Sequence, residues 1–281
     1  MDKSAYFWYD LTMILVISSN DTWAAKRLAE EAVKAGVKLR FITADKIKGI
    51  SLKPYTVLYV RNPFVKTSPK YLPDVVKLAK RFKLAGKKVV DAAIAHGNIA
   101  QGKWVDYRQM MKADLPIPNS SKTHGRERWT NEYPFILKWV YGMKGKGVFL
   151  ARDKHQLAKI SPLHPKKQWL VQEFIKADYE YKVITVGFKA LPKVSRFRVK
   201  QDGFGIDFSG HQSIKTSSVP KVAAIAEQAS KLLGRQLAKV DILQKGKKFY
   251  ILEVNRFPGL EWFEKLTKFN ATKAFLEYLQ K

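Results

Sequence analysis

The sequence predicts an α/β region with a parallel sheet, followed by an α+β region built mainly of strands. Three observations predict it. Strands and helices alternate in β-α-β-β-α-β order over the first third, a pattern that buries a parallel sheet beneath helices. The stretch Leu115-Pro-Ile-Pro118-Asn-Ser-Ser is stiffened by its prolines and reads as a linker. Beyond it, β-branched and aromatic runs bounded by glycines dominate.

Residues 12–18 read as a buried strand. Ser19-Asn20-Asp21-Thr22 supplies oxygens for an N-cap, and a helix over 23–35 ends at Gly36. Strands follow at 37–41 and 56–60, then a helix at 74–85 closed by Gly86, and a strand at 88–92. No Gly-x-Gly-x-x-Gly turn follows the first strand, which argues against a dinucleotide site there. A helix at 106–113 precedes the linker. Strands at 135–140 and 148–151 then flank a flexible loop with glycines at 142, 145 and 147. A helix at 153–160 and strands at 169–175, 181–187 and 192–199 come next, with a glycine-rich loop at 203–210. Pro220 opens a helix that Gly234 ends, and a last helix covers 271–279.

Composition sets further bounds. A chain of 281 residues, 46% hydrophobic and 27% charged, is globular and long enough for more than one domain. The absence of cysteine excludes disulfides, thiolate metal sites and a cysteine nucleophile. The early apolar run at 13–17 is too short to span a bilayer, and with Asp2 and Asp10 ahead of it does not read as a signal peptide. A cytoplasmic location without a membrane partner is expected. The net charge of +28 steers phosphates, nucleic acid or acidic peptides toward the chain, although the lysines are spread rather than clustered.

The most informative stretch is Lys239-Val-Asp-Ile-Leu, a Lys245-Gly246-Lys247 turn, and Phe249-Tyr-Ile-Leu-Glu-Val-Asn255, a hairpin in pattern. Residues two apart on a strand share a face, which puts Glu253 with Asn255. A loop of three or five residues places Asp241 on that face; a two-residue turn sends it to the other. Carboxylates among Val, Ile and Leu need compensation, and hard oxygen ligands suit magnesium held jointly with phosphates. Upstream, Lys138 sits in the apolar strand leading to the glycine loop. There backbone amides approach phosphate oxygens, and Lys144 and Lys146 add charge. The Gly-Lys-Ser/Thr ending of a P-loop is missing. In Leu170-Val-Gln-Glu-Phe-Ile-Lys-Ala-Asp178, an acidic residue followed by apolar ones presents backbone groups to an adenine edge, with Glu173 or Asp178 near ribose hydroxyls.

Taken in order, Lys138, the 142–147 loop, Gln172-Glu173-Phe174-Ile175, Asp241, Glu253-Val-Asn255 and Pro258-Gly259-Leu-Glu261 resemble the ATP-grasp superfamily, and its RimK-like branch over the last third. The resemblance covers about residues 100 to 281. It implies a pre-ATP-grasp α/β domain (1–120), then an ATP-grasp fold in two parts, 121–190 with the glycine loop and 191–281 with the metal site, nucleotide lying between two sheets. It implies an ATP-dependent carboxylate–amine ligase working through an acyl phosphate. In that reading Lys103, Lys138 and the loop (Gly142, Lys144, Gly145, Gly147) hold ATP phosphates. Glu173 and Phe174 face the adenine, Gln172 and Ile175 also belong to the ATP site, and Asp178 holds the ribose. Asp241, Glu253 and Asn255 hold one or two magnesium ions, with manganese as an alternative. Arg196 or Arg198 meets the phosphoryl group in flight.

Two departures fall in the substrate region. Glu180-Tyr-Lys182 stands where relatives usually carry Asp-x-Arg, so Lys182 takes a catalytic and substrate-binding position without the bidentate fork of arginine. Asp207-Phe-Ser-Gly210-His211 replaces an expected Asn-Gly-Gly, which makes His211 a substrate-contact candidate. His96, His124, His155 and His164 are isolated. An acidic peptide or protein tail is the substrate class that the charge favours. Two other classes stay open: a nucleotide-binding module that does not turn over, and a basic nucleic-acid-binding protein, the latter opposed by the lack of any recognition signature.

Overall fold

The computed structural model describes residues 13–18, 21–61, 69–97, 102–123, 133–141, 147–160 and 168–281. Its contacts divide the chain into two units, one of residues 1–97, 259–261 and 270–281, the other of 98–258 and 262–269.

In the first unit, β1 (Met13–Ile17), β2 (Lys38–Ile42), β3 (Val57–Val60) and β4 (Lys88–Val90) form a parallel sheet of order β2-β1-β3-β4. Residues 14–17 and 57–60 are almost wholly buried because helices cover the sheet. These helices are α1 (Trp23–Lys34) and α2 (Leu72–Leu84), and the side chain of Thr22 caps α1 by accepting from the Ala25 N–H at 3.2 Å. The expected order and parallel pairing are present. The sequence boundary at 120 differs from the contact boundary, because α3 (Lys103–Lys112) packs with the second unit through Tyr107 and Met110.

The second unit holds two antiparallel sheets. The smaller, of order β5-β8-β6-β7, contains β5 (Ser120–Thr123), β6 (Phe135–Trp139), β7 (Val148–Ala151) and β8 (Trp169–Glu173). Helix α4 (Lys154–Ile160) lies on the face carrying Phe135, Leu137, Trp169 and Val171. Strand alternation turns Ile136 and Lys138 to the opposite face, with Val148 and Gln172 beside them by register.

The larger sheet comprises β9 (Tyr179–Val186), β10 (Lys189–Ala190), β11 (Lys193–Val199), β12 (Ile206–Lys215), β13 (Leu237–Lys245) and β14 (Lys248–Asn255). Its order is β12-β11-β9-β13-β14, with β10 paired to β9. Helix α5 (Pro220–Leu232) and α3 bury one face with Tyr181, Val183, Val240, Ile242 and Ile251. Strand β9 lies in this sheet although its residues fall within 121–190, so the sheet boundary comes before residue 179. Two helices close the chain, α6 (Leu260–Thr267), which the sequence reading missed, and α7 (Ala271–Gln280).

Two loops expected from proline and glycine content are more ordered than composition implied. Ser120 and Ser121 belong to β5, and Pro116 covers the edge of β14 by accepting from the Ile251 N–H at 2.6 Å. Residues 206–210 open strand β12, with the turn confined to the residues before it.

Gly147 shows how tightly the small sheet is built. It adopts φ +79°, and an added Cβ would meet the Trp139 ring at 2.1 Å. Trp139 is wedged against Phe149 and Trp169, with ring centroids 6.1 and 6.2 Å away. Gly147→Ala therefore combines left-handed strain with overpacking and is expected to cost about 2–4 kcal/mol. Chemical denaturation checks this: a variant within roughly 0.5 kcal/mol of wild type, the size of an ordinary surface change, would refute it.

Candidate active site

A cleft of about 410 Å³ lies between the two sheets of the second unit. One wall presents Ile136, Lys138, Val148 and Gln172; the other presents Glu180, Val199, Asp241, Leu243, Leu252 and Glu253. The segment 173–175 and the turn Gly203-Phe204-Gly205 close one end, and Lys103 reaches in from α3.

The hairpin reaches the arrangement expected for Asp241 and Glu253 by another route. Lys245 pairs with Lys248, so the loop has two residues, Gly246 and Lys247, with Gly246 at φ 55°. Regular pairing from such a turn would put Asp241 opposite Leu252 and turn Glu253 away. Instead the register shifts between Asp241 and Ile242. Ile242 pairs with Ile251 and Asp241 with Glu253, leaving Leu252 as the extra residue of a bulge. Leu252 and Glu253, adjacent in sequence, both line the cleft.

Directly opposed carboxylates repel unless cations sit among them. Here lysines do. Lys103 Nζ lies 2.6 Å from Glu253 Oε1, and Lys239 Nζ 2.9 Å from Asp241 Oδ2. Lys182 binds Glu180 and stands 3.7 Å from Asp241 Oδ1. Asn255 Nδ2 donates to Asp241 Oδ2 at 3.4 Å. Asp241 Oδ1 is buried and accepts no hydrogen bond among the described residues.

Burial pushes the Asp241 carboxyl up, but Lys239 and Lys182 more than offset it, and its pKa falls below the ordinary value. Burial dominates at Glu180 and raises it, with Asp241 adding to the rise against the pull of Lys182. For Lys182 burial opposes the charge, yet Asp241 and Glu180 outweigh it and raise the pKa. Lys138 faces the cleft from the poorer side. It is 8% exposed, and burial lowers its pKa to about 8 despite Glu253, Glu180 and Asp241. A buried amine of this kind becomes a firm cation when an anion arrives.

Other expected residues lie differently. Gln172 is buried on the cleft face and donates to Ser120 Oγ at 2.9 Å. The Glu173 carboxylate accepts from the Asn119 N–H at 3.3 Å, and its N–H donates to the Asn119 carbonyl at 2.8 Å. Phe174 and Ile175 line the cleft. Asp178 does not line it. Its Oδ2 accepts from the Gly246 N–H at 2.7 Å and caps the hairpin turn, a use invisible in sequence because the partner is 68 residues away.

Arg196 and Arg198 stand opposite Tyr181 and Tyr179 of β9, whereas Lys182 and Glu180 stand opposite Ser195 and Phe197. Opposed residues share a face, so both arginines project from the face away from the acidic cluster. Arg196 lies over the Tyr179 ring at 4.7 Å and donates from Nε to Gln212 at 3.0 Å. His211 packs 4.9 Å from the Phe197 ring outside the cleft lining, and burial lowers its pKa. Gly142, Lys144 and Gly145 lie outside the described residues; Gly147 accepts from the Trp139 N–H at 2.8 Å.

Sequence reasoning missed Lys239 and the charge role of Glu180, although each stands two residues before a chosen residue on the same strand face. It also missed Tyr107, Leu243 and Leu252, which read as ordinary core residues until folding brings them together.

Residues 100–279 match the model of the RimK-like ATP-grasp domain. The chain belongs to the RimK-like ATP-grasp family. It is 34% identical over 155 residues to a protein named probable alpha-L-glutamate ligase from Legionella pneumophila. That match covers 53% of this chain and 50% of the relative, so the chain spans about half the length of that curated relative. The ATP-grasp ligase PsnB, solved with a phosphomimetic variant of its minimal precursor, Mg and ADP, superposes with a TM-score of 0.75 at 18% identity, covering 96% of this chain and 98% of that one. The macrocyclase MdnC from Microcystis aeruginosa, solved with its precursor peptide MdnA, superposes with a TM-score of 0.68 at 16% identity over 96% and 99% of the two chains. At these identities the likeness is one of fold. Membership places the two-sheet cleft in the RimK-like ATP-grasp architecture. Among the described residues no cluster of three His, Asp or Glu side chains could chelate an ion, and no helix is long and apolar enough to cross a membrane.

Proposed function

We propose that this RimK-like protein is an ATP-dependent ligase that joins a carboxylate to an amine. The observation carrying the proposal is the bulge that sets Asp241 opposite Glu253, across a cleft from the buried cation Lys138. The slot of Ile136, Val148, Ile175, Val199, Leu243 and Leu252 suits a purine, with backbone of 173–175 at its edge. Lys138 and Lys103 would hold phosphate oxygens.

Two carboxylates and an amide supply the hard oxygen donors that a divalent cation takes, once the lysines give way. Asp241, Glu253 and the Asn255 amide oxygen, after an amide turn, would hold one or two magnesium ions together with phosphate oxygens. Magnesium bound there would neutralise charge on the transferring phosphoryl group. A substrate carboxylate oxygen takes the γ-phosphoryl group as its bond to ADP breaks. An amine nitrogen then attacks the acyl carbon, forming the C–N bond and releasing phosphate and a proton. Lys182, held by Glu180 and Asp241, would be the cation on the side of the acidic cluster, since Arg196 and Arg198 lie on the other sheet face. Positioning and charge carry such a transfer, so no nucleophile–base pair is needed.

The acceptor is proposed to be an amino acid or an acidic peptide tail. The net charge of +28 supports this, as do the glutamate-ligase name of the Legionella relative and the precursor-bound ligases of like fold. The test is ADP release with glutamate and acidic peptides, with mass spectrometry of the products. An amide adduct, lighter by one water than the summed reactants, is expected together with ADP. Nucleotide binding without carboxylate-dependent ADP release across the panel would favour a non-catalytic binding protein, a reading to which the Lys103–Glu253 and Lys239–Asp241 ion pairs lend support.

A further inference from the structure

We propose that Tyr107 is a positioning residue that fixes the bulge presenting Glu253 and ties it to Lys138 on the opposite wall. This rests on the ligase reading above. Tyr107 lies on α3 and is 2% exposed. Its hydroxyl donates to the carbonyl of Leu252, the extra residue of the bulge, and accepts from Lys138 Nζ at 3.4 Å. One hydroxyl thus spends its donor on the wall carrying Asp241 and Glu253 and a lone pair on the wall carrying Lys138.

Strand β14 lies at the edge of its sheet, where a bulge has a neighbouring strand on one side only. Its outer side is held instead by a set of buried donors and acceptors. Arg235 Nη1 donates to the Val254 carbonyl, while Arg235 Nη2 holds Asp106, the neighbour of Tyr107, at 2.7 Å. Pro116 takes the Ile251 N–H. Tyr107 and Arg235 therefore grip the carbonyls on either side of Glu253. Release of that grip lets the strand relax toward regular pairing, and a one-residue slip turns Glu253 off the face of Asp241. The same hydroxyl keeps Lys138 at its distance from the carboxylates, so the two walls are set by one side chain.

Tyr107→Phe keeps the buried ring and removes the hydroxyl. The measurement is Mn2+ binding to the full chain with ADP present, followed by electron paramagnetic resonance, beside KM for ATP, kcat and thermal unfolding. The variant is expected to bind Mn2+ about tenfold more weakly, the factor that a lost buried hydrogen bond represents, and to show a raised KM with a smaller change in kcat. Arg235→Lys, which keeps the charge but loses the fork, is expected to weaken Mn2+ in the same direction. A Tyr107→Phe protein that unfolds at lower temperature yet binds Mn2+ within twofold of wild type would make Tyr107 a merely structural residue and overturn the proposal. Wild-type protein that binds no Mn2+ with ADP would instead remove the ligase reading itself, and this proposal with it.

Discussion

Asp241→Asn is expected to lower carboxylate-dependent ADP formation by about 10²–10³-fold, the range seen when one fixed electrostatic group at a reaction centre is lost. The substitution preserves shape, so the effect isolates charge. Asp241 is 7% exposed and lies between Lys239 and Lys182, with Glu253 opposite. Removing its charge takes the counter-ion from Lys239 and leaves Lys182 with Glu180 alone, and a metal held there would lose a buried ligand. Stability falls as well, because breaking a buried ion pair strands its partners. Activity must therefore be measured below the new unfolding temperature. Mg2+ titration separates the two effects: excess metal should recover part of the turnover if Asp241 is a ligand. An Asp241→Asn variant that keeps more than about a tenth of wild-type turnover would place the metal elsewhere, since loss of a reaction-centre charge predicts a far larger drop.

The second large effect belongs to Lys138. Its amine is held at a pKa of about 8 by burial, so in the free protein it is charged below that pH and neutral above it. If the charge binds phosphate, kcat/KM for ATP should be level below pH 8 and fall about tenfold per pH unit above it, because that ratio reports the free enzyme. Stability moves the other way. Lys138 titrates lower when folded than the ordinary 10.5, so between about pH 8 and 10.5 the unfolded chain binds the extra proton and this group's contribution to stability rises with pH. Lys138→Met should remove the alkaline limb and cost about 10²-fold in kcat/KM, comparable to loss of one fixed charge. The fold should stay at least as stable at about pH 7, since a costly buried amine is gone. A Lys138→Met variant with an unchanged alkaline limb would assign that limb to another group.

Much of the fold was legible because it depends on short-range pattern. The apolar runs at 13–17 and 57–60, the helix that follows each and the closing glycines follow from period and capping alone, and the parallel sheet matches. The candidate site was legible where chemistry contradicts its surroundings. Lys138, Asp241 and Glu253 stand out as charges in apolar strands, and all three line one cleft. Asp178 is read from its strand, and Arg196 and Arg198 follow from the resemblance; the structure sets all three off the cleft lining. Asp178 is drawn off by a backbone N–H in a distant turn, and both arginines are turned away by strand parity.

The residue sequence alone determined which side chains have to be compensated, since a carboxylate or ammonium within a run of Val, Ile and Leu carries its desolvation cost wherever the strand goes. It determined the element order and the family as well. Only the tertiary structure decided which face each charge takes. A two-residue turn at Gly246 predicts one parity for Asp241 and Glu253, and the bulge at Leu252 reverses it. That reversal depends on donors from Tyr107 and Arg235, which are 145 and 19 residues from the carbonyls they hold. A side chain's face depends on every residue counted between it and the turn, and contacts so remote leave no trace in local pattern.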